Sequence, residues 1–412
     1  MSRTLTAITT IVLIILTIAI LGGMVWANTQ YVRSQPAEKD FLVPWLAART
    51  FIQYGDSPYS QPAAQRAQIL YYGKLAAPGQ DPLVLWLPFP FELFYFPIAL
   101  INDYVLARAI WMVALEIALV ILAFLSLELI GWKPGRLFLP VVLLMPLLWV
   151  YGAISLDSAS AAGFIALALA GFLLALRSER DELAGGLLVL LVSSLRFSGV
   201  LAFFIFWWIF YTRRWRVLWG FLMGFAVLLG LSFLFLPGWF LPYLSGMISH
   251  SSFNPAFTSI GIFAAWSPVV GQRLGWLLAG ILLLVLFFEW GNALSKGFRS
   301  FLWMVSLTIS VTPLLGIPMS PKEYLILFVP LVLFLSLLSE RRSWLKHWGV
   351  PVIGILIIGG SWLLTLLLIQ AGAYTALANT LILCLPALLV IGLYWMRWWL
   401  IHTVPTGLES PP

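Results

Sequence analysis

Repeated apolar runs of roughly twenty residues fill this 412-residue chain, and they decide what it can fold into. Backbone inside a bilayer must satisfy its own N–H and C=O groups, so only helices and closed β-barrels cross it. Barrel strands read as short alternating segments, and none occur here. With 62% hydrophobic and only 9% charged residues, the chain is expected to be an all-α polytopic membrane protein. The expected spans are 5–26, 104–130, 137–153, 158–176, 183–198, 199–212, 217–236, 272–289, 299–315, 323–339, 349–370 and 376–396. That makes about twelve, and the pair flanking Arg196 also reads as one broken helix. The first run is longer than the about 7–15 residues of a signal-peptide core, so it reads as a retained anchor. A single domain, 1–412, holds all of them.

The net charge of +7 does not point to nucleic acid, because Lys and Arg gather in short connections between spans. With the N-terminus inside, the inner connections carry Lys133, Arg136, Arg177, Arg180, Arg213, Arg214, Arg216, Lys296, Arg299, Arg341, Arg342 and Lys346, and Arg397 follows the last span. This is the positive-inside pattern of a multi-pass plasma membrane protein. Two longer connections then face outward, 27–103 and 237–271. Within the first, "WLPFPFELFYFPIALI" is broken by Pro88, Pro90 and Pro97 and reads as re-entrant or surface-lying. Cys384 is the only cysteine, which excludes a disulfide framework. Walker A, dinucleotide-binding, HExxH, CxxC and Asp-x-Asp patterns are all missing, so no cofactor and no metal are expected.

Asp40 opens the stretch "DFLVPWLAARTFIQYG", which has the pattern of an amphipathic helix stopped by Gly55. Two readings of the aspartate stand together: an N-cap for that helix, or a general base at headgroup depth. Lys322 and Glu323, behind Pro318 and Pro321, sit at the mouth of an apolar span. They read as a snorkelling pair, or Lys322 as a phosphate contact. Arg196 lies in an apolar stretch, where an arginine pairs or binds an anion. His250 and Asn254 belong to a polar cluster in the second long connection, a place where a histidine is commonly solvated. Asp157 reads as a cap for the following helix, and Glu116 as a carboxyl paired inside the bundle.

The order of these pieces resembles the GT-C glycosyltransferases, most closely glycosyltransferase family 87, the polyprenyl-phosphate-mannose-dependent α-mannosyltransferases. The carrying segments are "KDFLVPWLAARTFIQYGDSPYS", "PFPFELFYFPIALI", "ALRSERDELAGGLLVLLVSSLRFSGVL" and "PMSPKEYLILFVPL". The resemblance implies a GT-C-like bundle with a long outer loop after the first span. It implies inverting, metal-independent transfer of a sugar, mannose or another hexose or pentose, from a polyprenyl-phosphate donor to a lipid-linked or glycan acceptor. Asp40 would be the catalytic base, with Arg196 and Lys322 on the donor phosphate. Among the polar residues read above, Glu323, His250, Asn254 and Asp157 are candidates for substrate contact, as is Tyr59 of the "G-x-x-P-Y" ending. A polytopic transporter or lipid flippase is the competing expectation, since intramembrane ionisable residues suit both.

Overall fold

A computed structural model of the protein describes residues 3–136, 138–192, 195–253, 258–294, 296–341, 349–370 and 376–402. Its first helices are α1 (Arg3–Ser34), α2 (Lys39–Tyr54), α3 (Gln61–Tyr72), α4 (Phe89–Glu92), α5 (Phe96–Ala99) and α6 (Tyr104–Ile130). Then come α7 (Leu139–Leu148), α8 (Val150–Asp157), α9 (Ala162–Arg177), α10 (Asp181–Val192), α11 (Leu195–Thr212) and α12 (Trp215–Phe235). The remainder are α13 (Phe240–Phe253), α14 (Ser259–Trp266), α15 (Gly271–Ala293), α16 (Phe298–Val311), α17 (Phe328–Arg341), α18 (Val350–Gln370) and α19 (Ala376–His402). Short 3₁₀ turns occupy Leu93–Tyr95, Thr312–Leu315 and Pro321–Leu327. No strand occurs among the described residues.

Eight helices among the described residues are long and apolar enough to cross a membrane, where the sequence reading expects twelve spans. They are α1, α6, α12, α15, α16 with its 3₁₀ extension, α17 with the 3₁₀ turn before it, α18 and α19. Helices α7 and α8 qualify together as a ninth, bent by 48°. Pro146 lies inside α7, where its missing N–H and bulky ring favour a kink. The shortfall has a plain cause. Helix α9 has 16 residues and rises only about 24 Å, against the about 30 Å of a hydrocarbon core. Helix α10 has only 12.

The two long connections are largely helical. Helix α1 runs on to Ser34, and 39–99 holds α2 to α5; the second connection holds α13 and α14. The chain divides into two compact units. One comprises Met1–Ile117, Leu156–Ser160 and Leu231–Asn254, the other Ala118–Ser155, Ala161–Gly230 and Pro255–Pro412.

In the second unit, α16 and α17 form the centre, with 78% and 83% of their spanning residues buried. Three buried hydroxyls here bond back one turn: Thr308 and Ser310 on α16 to the Met304 and Ser306 carbonyls, and Thr312, in the 3₁₀ turn that follows, to the Thr308 carbonyl. Trp290 Nε1 donates to Thr308 Oγ1 at 2.9 Å, and Trp303 Nε1 to the Leu393 carbonyl at 3.0 Å. Indole N–H groups thus stitch α15 and α19 to α16 without burying an unmet donor. Helices α10 and α12 cross backbone to backbone. A Cβ on Gly185 would collide with the Val217 carbonyl, and one on Gly220 with the Glu182 carbonyl.

The centre of the first unit is aromatic. The Phe41 ring packs on Trp45, Tyr95, Tyr104 and Trp111, with centroids 5.8–6.4 Å away. Tyr95 also stacks on Trp111 at 4.7 Å. The first half of α2 is enclosed on all sides, from Phe41 to Ala48, so the helix is less amphipathic than its pattern suggests.

Candidate functional site

Most of the polar residues singled out above belong to the first unit, and Asp40 and Asp157 lie near the start of α2. That helix ends as its sequence predicts, with Gly55 in the left-handed region at φ 71°. Its beginning corrects the sequence reading. Glu38 occupies the N-cap position in extended conformation, and Asp40 lies inside the first turn. Asp40 is therefore not the cap, and its half-buried carboxyl is near enough to Tyr95 of the aromatic centre for its charge to act on that phenol.

Helix α3 brings a second wall. Ser60 caps it, accepting from the Ala63 N–H, and Pro62 starts it. Near its C-terminus Tyr71 is half-exposed, and burial raises its phenol, helped by the charges of Glu38, Asp81 and Asp40. Those three carboxylates therefore share a neighbourhood with one tyrosine hydroxyl. Lys39 Nζ stands 3.4 Å from Asp81 Oδ2. The other Asp81 oxygen accepts the Leu83 N–H at 3.0 Å, and Tyr72 donates to the Asp81 carbonyl at 3.1 Å. Gln68 secures the same loop, donating to the Pro82 carbonyl and accepting the Ala76 N–H.

A third wall comes from α6 and residues 156–160. Arg108 is fully buried, donating from Nη1 to the Pro36 carbonyl at 2.9 Å and from Nη2 to the Asp157 carbonyl at 2.6 Å. The Glu38 N–H donates to Tyr104 Oη at 3.0 Å. Arg108 and Tyr104 thereby fix the segment leading into α2, and with it the position of Asp40. Asp157 ends α8 instead of capping α9, whose N-cap is Ala161. Its half-exposed carboxylate accepts from Tyr31 Oη at 2.7 Å and lies 3.8 Å from Arg108 Nη2. Two residues in this region hold backbone conformations unusual for side chains with a Cβ, Leu83 at φ 50° and Ala159 at φ 47°. Such strain persists where surrounding contacts over-determine the chain, and it concentrates at functional sites.

His250 does not lie free in a loop. It sits in the last turn of α13 and stacks on Trp86, centroids 4.0 Å apart and planes 17° apart. One turn earlier, Gly246 lets α13 rest directly on the chain at Leu85, whose carbonyl a Cβ there would strike. Tyr59 is buried and its hydroxyl is committed to the Leu87 carbonyl at 2.6 Å, a bond that anchors the turn before α3. Glu116 accepts from Asn28 Nδ2 at 3.0 Å, the intrahelical-bundle pairing its position suggested.

Lys322 and Glu323 belong to the second unit. Glu323 Oε2 accepts the Ser320 N–H at 2.7 Å and so closes the start of a 3₁₀ turn. Arg196 lies in the first turn of α11, but its side chain, like all of Asn254, lies outside the described residues. Among the described residues no three His, Cys, Asp or Glu side chains form a metal-binding group.

The sequence reading singles out neither Arg108, Tyr71, Asp81 nor Glu92. For Arg108 a signal was present, a lone guanidinium five residues into an apolar span. Compared with family models, with curated proteins and with solved structures, the chain matches none.

Proposed function

We propose that this protein is an integral membrane glycosyltransferase that moves a sugar from a polyprenyl-phosphate donor to a lipid-linked or glycan acceptor. The observation that carries the reading is Asp40: a half-buried carboxylate in the first turn of α2, not used as its cap, beside an aromatic bed. In this reading the acceptor hydroxyl attacks the anomeric carbon and its proton passes to Asp40. The new C–O bond forms as the bond to the phosphate oxygen breaks, and polyprenyl phosphate leaves with the electron pair and with inversion. Tyr71 offers the sugar a neutral hydroxyl, because burial and its acidic neighbours hold the phenol up. The resemblance to family 87 assigns charge balance on the leaving phosphate to Lys322 and Arg196. Asp157 and His250 line the acceptor side, and no metal or cofactor enters the step.

The reading includes a GT-C-like bundle of about twelve crossings, the shorter helices among them, with 27–103 on the outer face of the plasma membrane. Incubating purified protein with a radiolabelled polyprenyl-phosphate sugar and membrane lipid acceptors tests it directly. Labelled product supports transfer, whereas facilitated movement of intact donor across vesicles with no product identifies a flippase.

Orientation has its own expected outcome. Lys74 is exposed after α3, so a cysteine there, in a Cys384→Ser background, should react with a membrane-impermeant maleimide in intact cells. Reaction only after lysis reverses the topology and removes the mechanism. Lys322→Ala and Arg196→Ala should weaken use of donor more than of acceptor. Losing one charge-assisted contact costs about 1.5–3 kcal/mol, or roughly tenfold or more in kcat/KM for the donor. Donor kinetics unchanged in both variants would take the two cations out of the site.

A further inference from the structure

Glu92 is the one acid in the run "PFPFELFYFP", and it points inward. It is 0% exposed, and neither carboxyl oxygen has a hydrogen-bond partner. From α2 only the Ala48 N–H approaches it, without completing a bond. The titratable groups that face it are phenols, Tyr95 from the next 3₁₀ turn and Tyr59 from the turn before α3, with Tyr243 of α13 beyond Tyr59. Among the described residues no cation acts on it. An unpaired carboxylate is not sustained in such surroundings, and burial pushes the Glu92 carboxyl well above the usual range, leaving it neutral.

The segment that carries Glu92 has little backbone cohesion of its own, although its side chains are packed into the first unit. Helices α4 and α5 have four residues each, and Pro88, Pro90 and Pro97 withhold backbone donors. Pieces this short have little helical cooperativity of their own. What seats them is side-chain packing, with Phe89 edge-on to Phe51 and Phe96 and Tyr95 stacked on Trp111, together with a hydrogen bond from Trp45 Nε1 to the Ile98 carbonyl at 3.3 Å. Local opening of such a segment, short of unfolding the whole chain, exposes the carboxyl to water.

We propose that Glu92 is a proton-operated latch: with its proton it keeps Pro88–Ala99 seated in the first unit, and on losing that proton it releases the segment to water. The inference does not depend on the transferase reading. The seated state retains the proton to higher pH than the open state, whose carboxyl ionises at the ordinary value of about 4.3. The closed state is thus fully favoured below that value and loses ground as pH rises toward the raised one, opening about tenfold more per pH unit between them. Tyr59 and Tyr95 do not confuse the readout, since burial pushes both phenols up and away from this range.

The test is hydrogen–deuterium exchange of peptides covering 88–99 in the full-length protein in detergent. Parent and Glu92→Gln are measured side by side from about pH 5 to about pH 8, so that the chemical pH dependence of exchange cancels in their ratio. The expected result is a parent-to-variant opening ratio that climbs about tenfold per pH unit before levelling off. A ratio flat with pH overturns the latch. A Glu92→Gln protein that fails to fold overturns it too, because glutamine is an uncharged near-isostere of the neutral acid.

Discussion

Replacing Asp40 with asparagine is expected to slow sugar transfer by about 10²–10⁴-fold while thermal unfolding hardly moves. An amide does not take the acceptor's proton at neutral pH, so the loss follows from chemistry and not from shape. Glu38, not Asp40, holds the N-cap position, so the variant leaves the helix start intact. The variant removes a negative charge near a helix N-terminus, an effect worth about 0.3–1 kcal/mol. Transfer and unfolding are measured on one detergent preparation. Near-parent transfer by Asp40→Asn would end its assignment as the base.

A second large effect is expected at Arg108, and here stability is the first readout. Its two guanidinium bonds hold the carbonyls of Pro36 and Asp157, chain segments far apart in sequence. Each bond from a charged donor contributes about 1.5–3 kcal/mol, so Arg108→Ala should cost roughly 3 kcal/mol or more. Arg108→Met fills much of the space and meets neither carbonyl, so it should fall between alanine and the parent. Unfolding midpoints measured for all three proteins decide the matter. A midpoint for Arg108→Ala within a degree or two of the parent would show that neither bond holds the site together.

Much of this fold is legible in the sequence, because apolar length alone marks a spanning helix. The expected span 104–130 coincides with α6, and Gly55 stops α2 where a left-handed C-cap is called for. Reading runs out where a helix is short. Helices α9 and α10 carry apolar patterns that look like spans, but the turn around Glu179, at φ 57°, separates them before either reaches full length. Within the site, Asp40 is legible from its place ahead of an apolar helix, although the pattern makes it the cap and the structure puts it two positions further on. Asp81 and Tyr71 are not legible, since only the folding back of α3 and its following loop gathers them to Asp40's neighbourhood. Glu92 was visible as a lone acid among phenylalanines, but nothing in local pattern says that such an acid is buried without a partner.

The crossing of α10 and α12 limits how this chain can change. A side chain on Gly185 would meet backbone of α12, and one on Gly220 would meet backbone of α10. Backbone has no alternative rotamer, so enlarging one glycine cannot be rescued by shrinking a residue opposite it, as happens when side chains interdigitate. Drift at either position therefore has no compensating partner within the pair. The only way out is to slide or part the helices, which disturbs every other contact along both. Mutational walks through this region have to go around the two glycines together, and the distance between α10 and α12 is inherited as a unit.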